Sequence, residues 1–142
     1  MSRHVLHVAE KNSVAKPLAR ILSQGRCTVS SGQEKYCPLY TFKGDFRGTQ
    51  RTQIVTSVRG HLLSQDFEDT YRHWNESTTV KLFDATIRQY LPDDMKNLEK
   101  QLISNAKKCD TIVLWLDCDR EGEAIAAEVV TVCNKGLVEE AV

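Results

Sequence analysis

The run from Thr111 to Leu116 is apolar or β-branched throughout, and it ends abruptly at Asp117-Cys118-Asp119-Arg120-Glu121-Gly122-Glu123. A small, apolar, helix-like run from Ala124 to Val130 follows at once. Such an unbroken apolar run, bounded by a turn and a helix, is the pattern of a strand buried on both faces. The chain must therefore set a buried strand, an acidic turn and a helix in direct succession. Asp117 and Asp119 stand two apart, so an extended chain turns both to one side and Cys118 to the other, where it is expected to be buried and inert. Acids do gather at helix N-termini, each contributing about 0.3–1 kcal/mol against the macrodipole. That accounts for one or two acids but poorly for four in seven residues. Such a cluster repels itself unless a cation neutralises it. Oxygen-only ligands suit Mg²⁺, which keeps several waters and meets one or two carboxylates plus phosphate oxygens. The expected partner is a metal-bridged phosphate, with Asp117, Asp119 and Glu121 as candidate ligands. Arg120 either contacts phosphate or balances the acids. Gly122 is either a chance helix residue or a point of close approach.

Lys/Arg and Asp/Glu number 19 each, so the net charge is zero, but it is unevenly spread. Residues 1–59 hold ten basic and three acidic side chains (+7), residues 60–106 hold five and eight (−3), and residues 107–142 hold four and eight (−4). A basic N-terminal half facing an acidic metal site suits a protein that handles phosphodiesters. A randomly uneven surface is the bland alternative. No apolar run approaches the roughly 20 residues that span a bilayer, and the N-terminus lacks the apolar core of a secretory signal. Five cysteines without a Cys-x-x-Cys pair predict a reduced, intracellular protein without a zinc site.

Val5–Ala9 is a short apolar run ending at Glu10. Ser13 can cap a following helix whose apolar positions are Val14, Leu18, Ile21 and Leu22, with Pro17 predicting a late start near Lys16 or a distorted first turn. Residues 25–59 read as strands, with a hairpin at Gly44-Asp45 and a core strand over Thr52–Val58 that breaks at Gly60-His61. Residues 62–92 read as irregular, around Trp74 and Phe83. Asp93 to Lys108 reads as a helix with Met95, Leu98, Leu102 and Ile103 on one face. The last helix is expected to run to about Cys133, with Gly136 as a stop. The fold class is α/β, an open and mostly parallel sheet flanked by helices, with a β-rich insert. In such sheets ligands bind beyond the carboxyl ends of the strands, where Glu10 and Asp117 both stand.

Glu10 alone could be an ordinary surface acid. Lys11, Ser13 and Lys16 add cations and a hydroxyl near a helix start, where anions bind readily. A carboxylate beside a lysine, close to a metal, can act as general acid on a leaving alkoxide. His61 is either structural or in contact with DNA. Tyr36, Tyr40, Tyr71 and Tyr90 read as packing residues.

Three motifs occur in order: Ala9-Glu10-Lys11-Asn12-Ser13-Val14-Ala15-Lys16; Thr56-Ser57-Val58-Arg59-Gly60-His61-Leu62-Leu63-Ser64-Gln65-Asp66-Phe67; and Leu114-Trp115-Leu116-Asp117-Cys118-Asp119-Arg120-Glu121-Gly122-Glu123. Together they resemble the Toprim domain, a Rossmann-like fold, of the type IA DNA topoisomerases of the topoisomerase III group. Asn12, where bacterial relatives usually carry proline, resembles the eukaryotic enzymes. The resemblance covers nearly the whole chain. It implies that Glu10 protonates the 3′ oxygen leaving the scissile phosphate, that Lys11 stabilises charge on that phosphate, and that Asp117, Asp119 and Glu121, with Glu10, hold Mg²⁺. It further implies DNA contacts at Lys16, His61 and Arg120, a single-stranded DNA substrate with RNA left open, a nuclear location, and RecQ-type helicase and OB-fold partner proteins. A metal-dependent nuclease or primase-like Toprim domain, and a docking module without catalysis, are the competing readings.

The family's nucleophilic tyrosine and gate domains lie far downstream, so residues 1–142 are expected to be a single Toprim domain cut from a larger topoisomerase. The purified 142-residue chain is accordingly expected to leave negatively supercoiled plasmid unrelaxed on an agarose gel, and its relaxation would overturn that reading.

Overall fold

The structure, a computed structural model, describes residues 4–67 and 87–140. Tyr71, Trp74 and Phe83 lie outside the described residues.

Strand β1 (His4–Ala9) is followed by helix α1 (Asn12–Ser23), and then by β2 (Thr28–Ser30), β3 (Leu39–Phe46) and β4 (Thr49–Ser57). The short strands β5 (Ser64–Phe67) and β6 (Ile87–Tyr90) form a separate antiparallel pair. A 3₁₀ turn at Asp93–Met95 leads into α2 (Lys96–Ala106), then β7 (Cys109–Trp115) and α3 (Arg120–Glu140). The main sheet has the order β2-β3-β4-β1-β7. Its last three strands are parallel, and β2 and β3 add an antiparallel extension. The expected α/β class with flanking helices is therefore found, in a mixed sheet whose parallel part is built on β1.

Residues 5–9 of β1 are buried on both faces, which is why the strand reads as a nearly continuous apolar run. Leu6 and Val8 pack on one side with Leu98 and Leu102 of α2 and Ile125 and Val129 of α3. Ala9 packs on the other side with Val55, Tyr40 and Phe42 and with Ala15 and Ala19 of α1. The inner stripe of α1 is thus made of small residues, with Leu18 and Leu22 at its flanks, while Val14 and Ile21 face outward at 39% and 74% exposure. Small side chains let the helix lie close to the sheet.

The structure departs from the sequence expectations at several places. Ser13 lies within α1, whose N-cap is Lys11, and no side chain caps that helix. Strand β7 is mostly half-buried, not buried on both faces, because it ends the described sheet. Helix α1 begins at Asn12, not near Lys16, and carries Pro17 inside it. Proline removes the bond to the Ser13 carbonyl, but both residues are exposed, so water can take the freed acceptor. The hairpin turns at Arg47-Gly48, with φ of 54° and 83°, and Gly44-Asp45 lies within β3. Two successive positive φ values match the twist of the flanking strands. Helix α3 runs through Gly136 rather than stopping there. A Cβ at Gly136 would meet Ile103 Cγ2 at 2.6 Å, so this glycine allows α2 and α3 to approach each other. Residues 62–92 include the β5–β6 pair where an irregular segment was expected.

One polar chain crosses the α1 side of the sheet. Trp115 Nε1 donates to His7 Nδ1 at 3.0 Å. An indole nitrogen only donates, so the imidazole proton sits on Nε2, which donates to Gln53 Oε1 at 2.9 Å. Gln53 Nε2 in turn donates to the Asp45 carbonyl at 3.3 Å. Four strands, β7, β1, β4 and β3, are thereby linked through one neutral histidine. Burial pushes the His7 imidazole below its ordinary pKa of 6.5, partly opposed by the Gln53 hydrogen bond.

A histidine kept neutral in the fold must charge on unfolding in acid, so the unfolded chain binds the extra proton. The His7 contribution to stability is full above pH 6.5 and declines as pH falls from 6.5 toward the depressed folded-state value. Urea unfolding at stepped pH should show this decline, and His7→Gln should show a shallower one. An equal slope in both proteins would rule out His7 as its source.

Candidate active site

Strand β1 pairs in parallel with β7, with Ala9 opposite Trp115, and with β4, with Ala9 opposite Ser57. Glu10 leaves the end of β1 and Asp117 leaves the chain just past β7, so both stand at the same end of adjacent parallel strands. Parallel neighbours lie roughly 4.8 Å apart. Tyr40 fixes the first of these exits. Its ring is buried and its hydroxyl donates to Asn12 Oδ1 at 2.9 Å, tying the first residue of α1 to β3. Glu10 is half-buried, and Lys11 and Lys16 are exposed on the first turns of α1.

The acidic turn is shaped by its backbone. Asp119 caps α3, its Oδ1 accepting the Gly122 N–H at 2.7 Å, while its carbonyl accepts the Glu123 N–H at 3.0 Å. A Cβ at Gly122 would lie 1.9 Å from the Asp117 carbonyl oxygen, so only glycine allows the helix to start this close to the end of β7. Close approach is therefore the reason for Gly122. The chain bends at residues 117–119 instead of staying extended, and Cys118 is exposed, not buried as its alternation predicted. Asp117, Arg120 and Glu121 are exposed as well. Among the described residues no three carboxylate, histidine or cysteine side chains stand close enough together to hold a metal ion.

His61 is brought to this turn by a residue that the sequence reading did not single out. Glu128, on α3, accepts from His61 Nδ1 at 3.1 Å and from the Leu62 N–H at 3.2 Å through Oε2. It therefore clamps the loop after β4 to α3. The opposite ring nitrogen, His61 Nε2, lies 3.7 Å from Glu121 Oε1. The spacing of Glu121 and Glu128, seven residues apart on one helix face, was legible in the sequence, but their common partner was not.

The structure thus brings Glu10, Lys11, Asp117, Asp119, Glu121, Arg120 and His61 to one end of the sheet, with Lys16 a turn further along α1. A cavity of about 370 Å³, lined by Leu22, Arg26, Lys43 and Asp45 among others, lies at the opposite end. Burial pushes Cys109 and Cys133 up to about 11 and raises Cys37.

Residues 5–142 match the Toprim domain family. The chain belongs to the Toprim family. It is 45% identical over 130 residues to DNA topoisomerase 3-alpha of Arabidopsis thaliana, a match that covers 92% of this chain and 14% of the relative. DNA topoisomerase 3 of Dictyostelium discoideum is 45% identical over 135 residues, covering 94% of the chain and 16% of the relative. DNA topoisomerase 3-alpha of Homo sapiens is 41% identical over 132 residues, covering 93% and 13%. The Toprim domain described here therefore spans less than a fifth of the length of these relatives. Among its described residues no helix is long and apolar enough to cross a membrane.

The donor chemistry of this Toprim domain fits a hard divalent cation. The acids offer only oxygen, they are exposed, and Asp119 commits one oxygen to the cap and keeps the other. Mg²⁺ needs few protein ligands when phosphate and water complete its shell. Capping and charge can be separated at Asp119, because Asn caps about as well as Asp, whereas Ala costs about 1 kcal/mol. Asp119→Asn should unfold in urea with the wild-type midpoint while Mn²⁺ binding, followed by water-proton relaxation, weakens. Asp119→Ala should lose both. Unchanged Mn²⁺ affinity in Asp119→Asn would remove this carboxylate from the metal set.

Proposed function

We propose that this Toprim domain supplies the acidic, metal-holding half of a type IA topoisomerase 3 active site, acting in transient cleavage and religation of a single DNA strand. The observation that carries the reading is the placement of Glu10 and the Asp117–Glu121 turn at the same end of the adjacent parallel strands β1 and β7. The two carboxylate groups come from different parts of the chain, and the sheet register alone brings them together. Identity above 40% to proteins named DNA topoisomerase 3 supports the same reading.

In this reading Asp117, Asp119 and Glu121, with Glu10, would hold Mg²⁺, which supplies charge neutralisation at the phosphodiester. As a nucleophile from outside this domain bonds to phosphorus, the P–O3′ bond breaks and Glu10 would give its proton to the leaving 3′ oxygen; on religation the 3′ hydroxyl returns that proton to Glu10, attacks phosphorus and releases the nucleophile. Lys11 places a cation beside the same phosphate. His61, oriented by Glu128, and Arg120 and Lys16, both exposed, contact the neighbouring backbone. Lys11, Lys16, Asp117 and Arg120 are exposed, Glu10 is half-buried, and Glu121 lies 3.7 Å from His61. Exposed cations beside exposed acids suit a phosphate that bridges them. Relaxation of negatively supercoiled DNA and decatenation of recombination intermediates belong, in the proposal, to a whole enzyme working in the nucleus. Helicase and OB-fold partners of that enzyme are part of the same proposal.

The test uses a full-length protein carrying this domain. Glu10→Gln should lower Mg²⁺-dependent relaxation of negatively supercoiled plasmid by about 10²–10⁴-fold, the range of general acid–base catalysis, with binding of single-stranded DNA retained. Relaxation at the wild-type rate by Glu10→Gln would refute the assignment.

A further inference from the structure

Tyr36 was read from sequence as a packing residue, yet it is 61% exposed. Its setting is unusual for an exposed ring. Glu34, two residues earlier, is buried, and its Oε1 accepts the Tyr36 N–H at 3.2 Å. The other oxygen, Oε2, lies 3.7 Å from the Arg59 guanidinium, which also donates to the Asp94 carbonyl at 3.2 Å. That guanidinium lies over the Tyr36 ring, 5.4 Å from its centre, and the Lys35 ammonium lies over it at 5.8 Å. One buried carboxylate therefore sets both the backbone that carries the ring and the cation beside it.

The turn itself is held from below. Gln101, buried on α2, accepts the Glu34 N–H through Oε1 at 3.0 Å and donates through Nε2 to the Cys37 carbonyl at 2.7 Å. A Cβ at Gly32 would come within 2.1 Å of that Oε1, so glycine there lets the loop close over Gln101 without displacing its amide. A buried carboxylate and a buried amide are costly unless fully bonded. Here they rigidify a loop whose ring faces water. A ring that served the core would be covered.

The place of this loop gives it a role. Strand β3 runs antiparallel to β4, with Tyr40 opposite Val55, so the loop before β3 stands at the end of the sheet where β4 finishes and Arg59 and His61 follow. That is the end that carries Glu10 and the acidic turn. An exposed aromatic ring with cations beside it, here Arg59 held by Glu34 and Asp94 and the exposed Lys35, is how proteins hold unpaired bases while cations track the phosphates. Residues 1–59 carry a net charge of +7, which complements a polyanion.

We infer that Tyr36, with Arg59 and Lys35, is a stacking platform for an unpaired base of a single strand led across this end of the sheet toward the acidic turn. The inference rests on the nucleic-acid reading above and adds a base-contacting site to it.

The test is fluorescence anisotropy of a labelled oligothymidylate at low salt in EDTA, so that metal plays no part. Tyr36→Ala should raise Kd roughly tenfold, within the range of one base–aromatic stack, and Tyr36→Phe should stay within about twofold of wild type. An otherwise identical strand with abasic sites keeps the phosphates and removes the bases. On it, wild type and Tyr36→Ala should bind equally. Equal affinity of wild type and Tyr36→Ala for the oligothymidylate would overturn the platform, as would a loss of the same size on the abasic strand, or no binding by the wild-type chain. The proposed chemistry fails separately. Normal relaxation by full-length Glu10→Gln beside Tyr36-dependent binding would leave the platform standing and remove the cleavage role.

Discussion

Strand β1 is paired on both edges by parallel partners, β4 and β7, and every functional group described above depends on that arrangement. Parallel strands finish at the same end. Three chain exits, after Ala9, Ser57 and Trp115, therefore open side by side, and the residues that follow them are Glu10-Lys11, Arg59-Gly60-His61 and the acidic turn. The pairing is possible because residues 5–9 are buried on both faces, with helices covering each side. The polar chain from Trp115 through His7 and Gln53 to Asp45 adds direction to that apolar core. Apolar contacts tolerate sliding, whereas donor and acceptor must meet in one register.

The acidic turn serves the fold and the chemistry with the same atoms. Asp119 caps α3, and its charge lies at the positive end of that helix. Gly122 lets the helix begin against the Asp117 backbone. The first turn of α3 therefore tolerates a concentration of negative charge that would be unfavourable elsewhere on the surface. Glu121 and Glu128 show the division of labour along one face of this helix. The inner acid fixes His61 and the loop after β4, and the outer one stays exposed at the mouth of the site.

Much of this was legible in the sequence, for reasons that differ by residue. The run ending at Glu10 is readable because a buried parallel strand is continuously apolar, and the start of α3 because acids and a glycine crowd it. The run before Asp117 also forms a strand, but not one buried on both faces: β7 is the last strand of the described sheet, and most of its residues are only half-buried. Gly44-Asp45 misled because Gly-Asp is turn chemistry, while the turn at Arg47-Gly48 depends on backbone twist that composition does not record. Gly136 reads as a helix stop in sequence and is a contact point in space, since its neighbour Ile103 is on another helix. Cys118 departs from strand alternation because it lies three residues past the end of β7. Val14 and Ile21 fit a helical apolar stripe, yet the stripe that packs is Ala15 and Ala19, because close approach to the sheet favours small side chains. The settings of Tyr36 and Glu128 arise from contacts with Arg59, Gln101 and His61, far away in sequence, which no local pattern encodes.

Two kinds of order meet at this end of the sheet. The backbone exits, the helix cap and the Glu34 and Gln101 hydrogen bonds are set by buried groups and are fixed before any ligand arrives. The charged side chains that would touch phosphate are exposed, and no three of the described acids converge on one point. Like charges held apart in water repel only weakly, since the dielectric is high and salt screens them. Drawing them together requires positive charge from a cation and, between them and Lys11, a phosphate that accepts both. In the proposed function, binding realised only around the reacting phosphate would lower the barrier to cutting without trapping the strand.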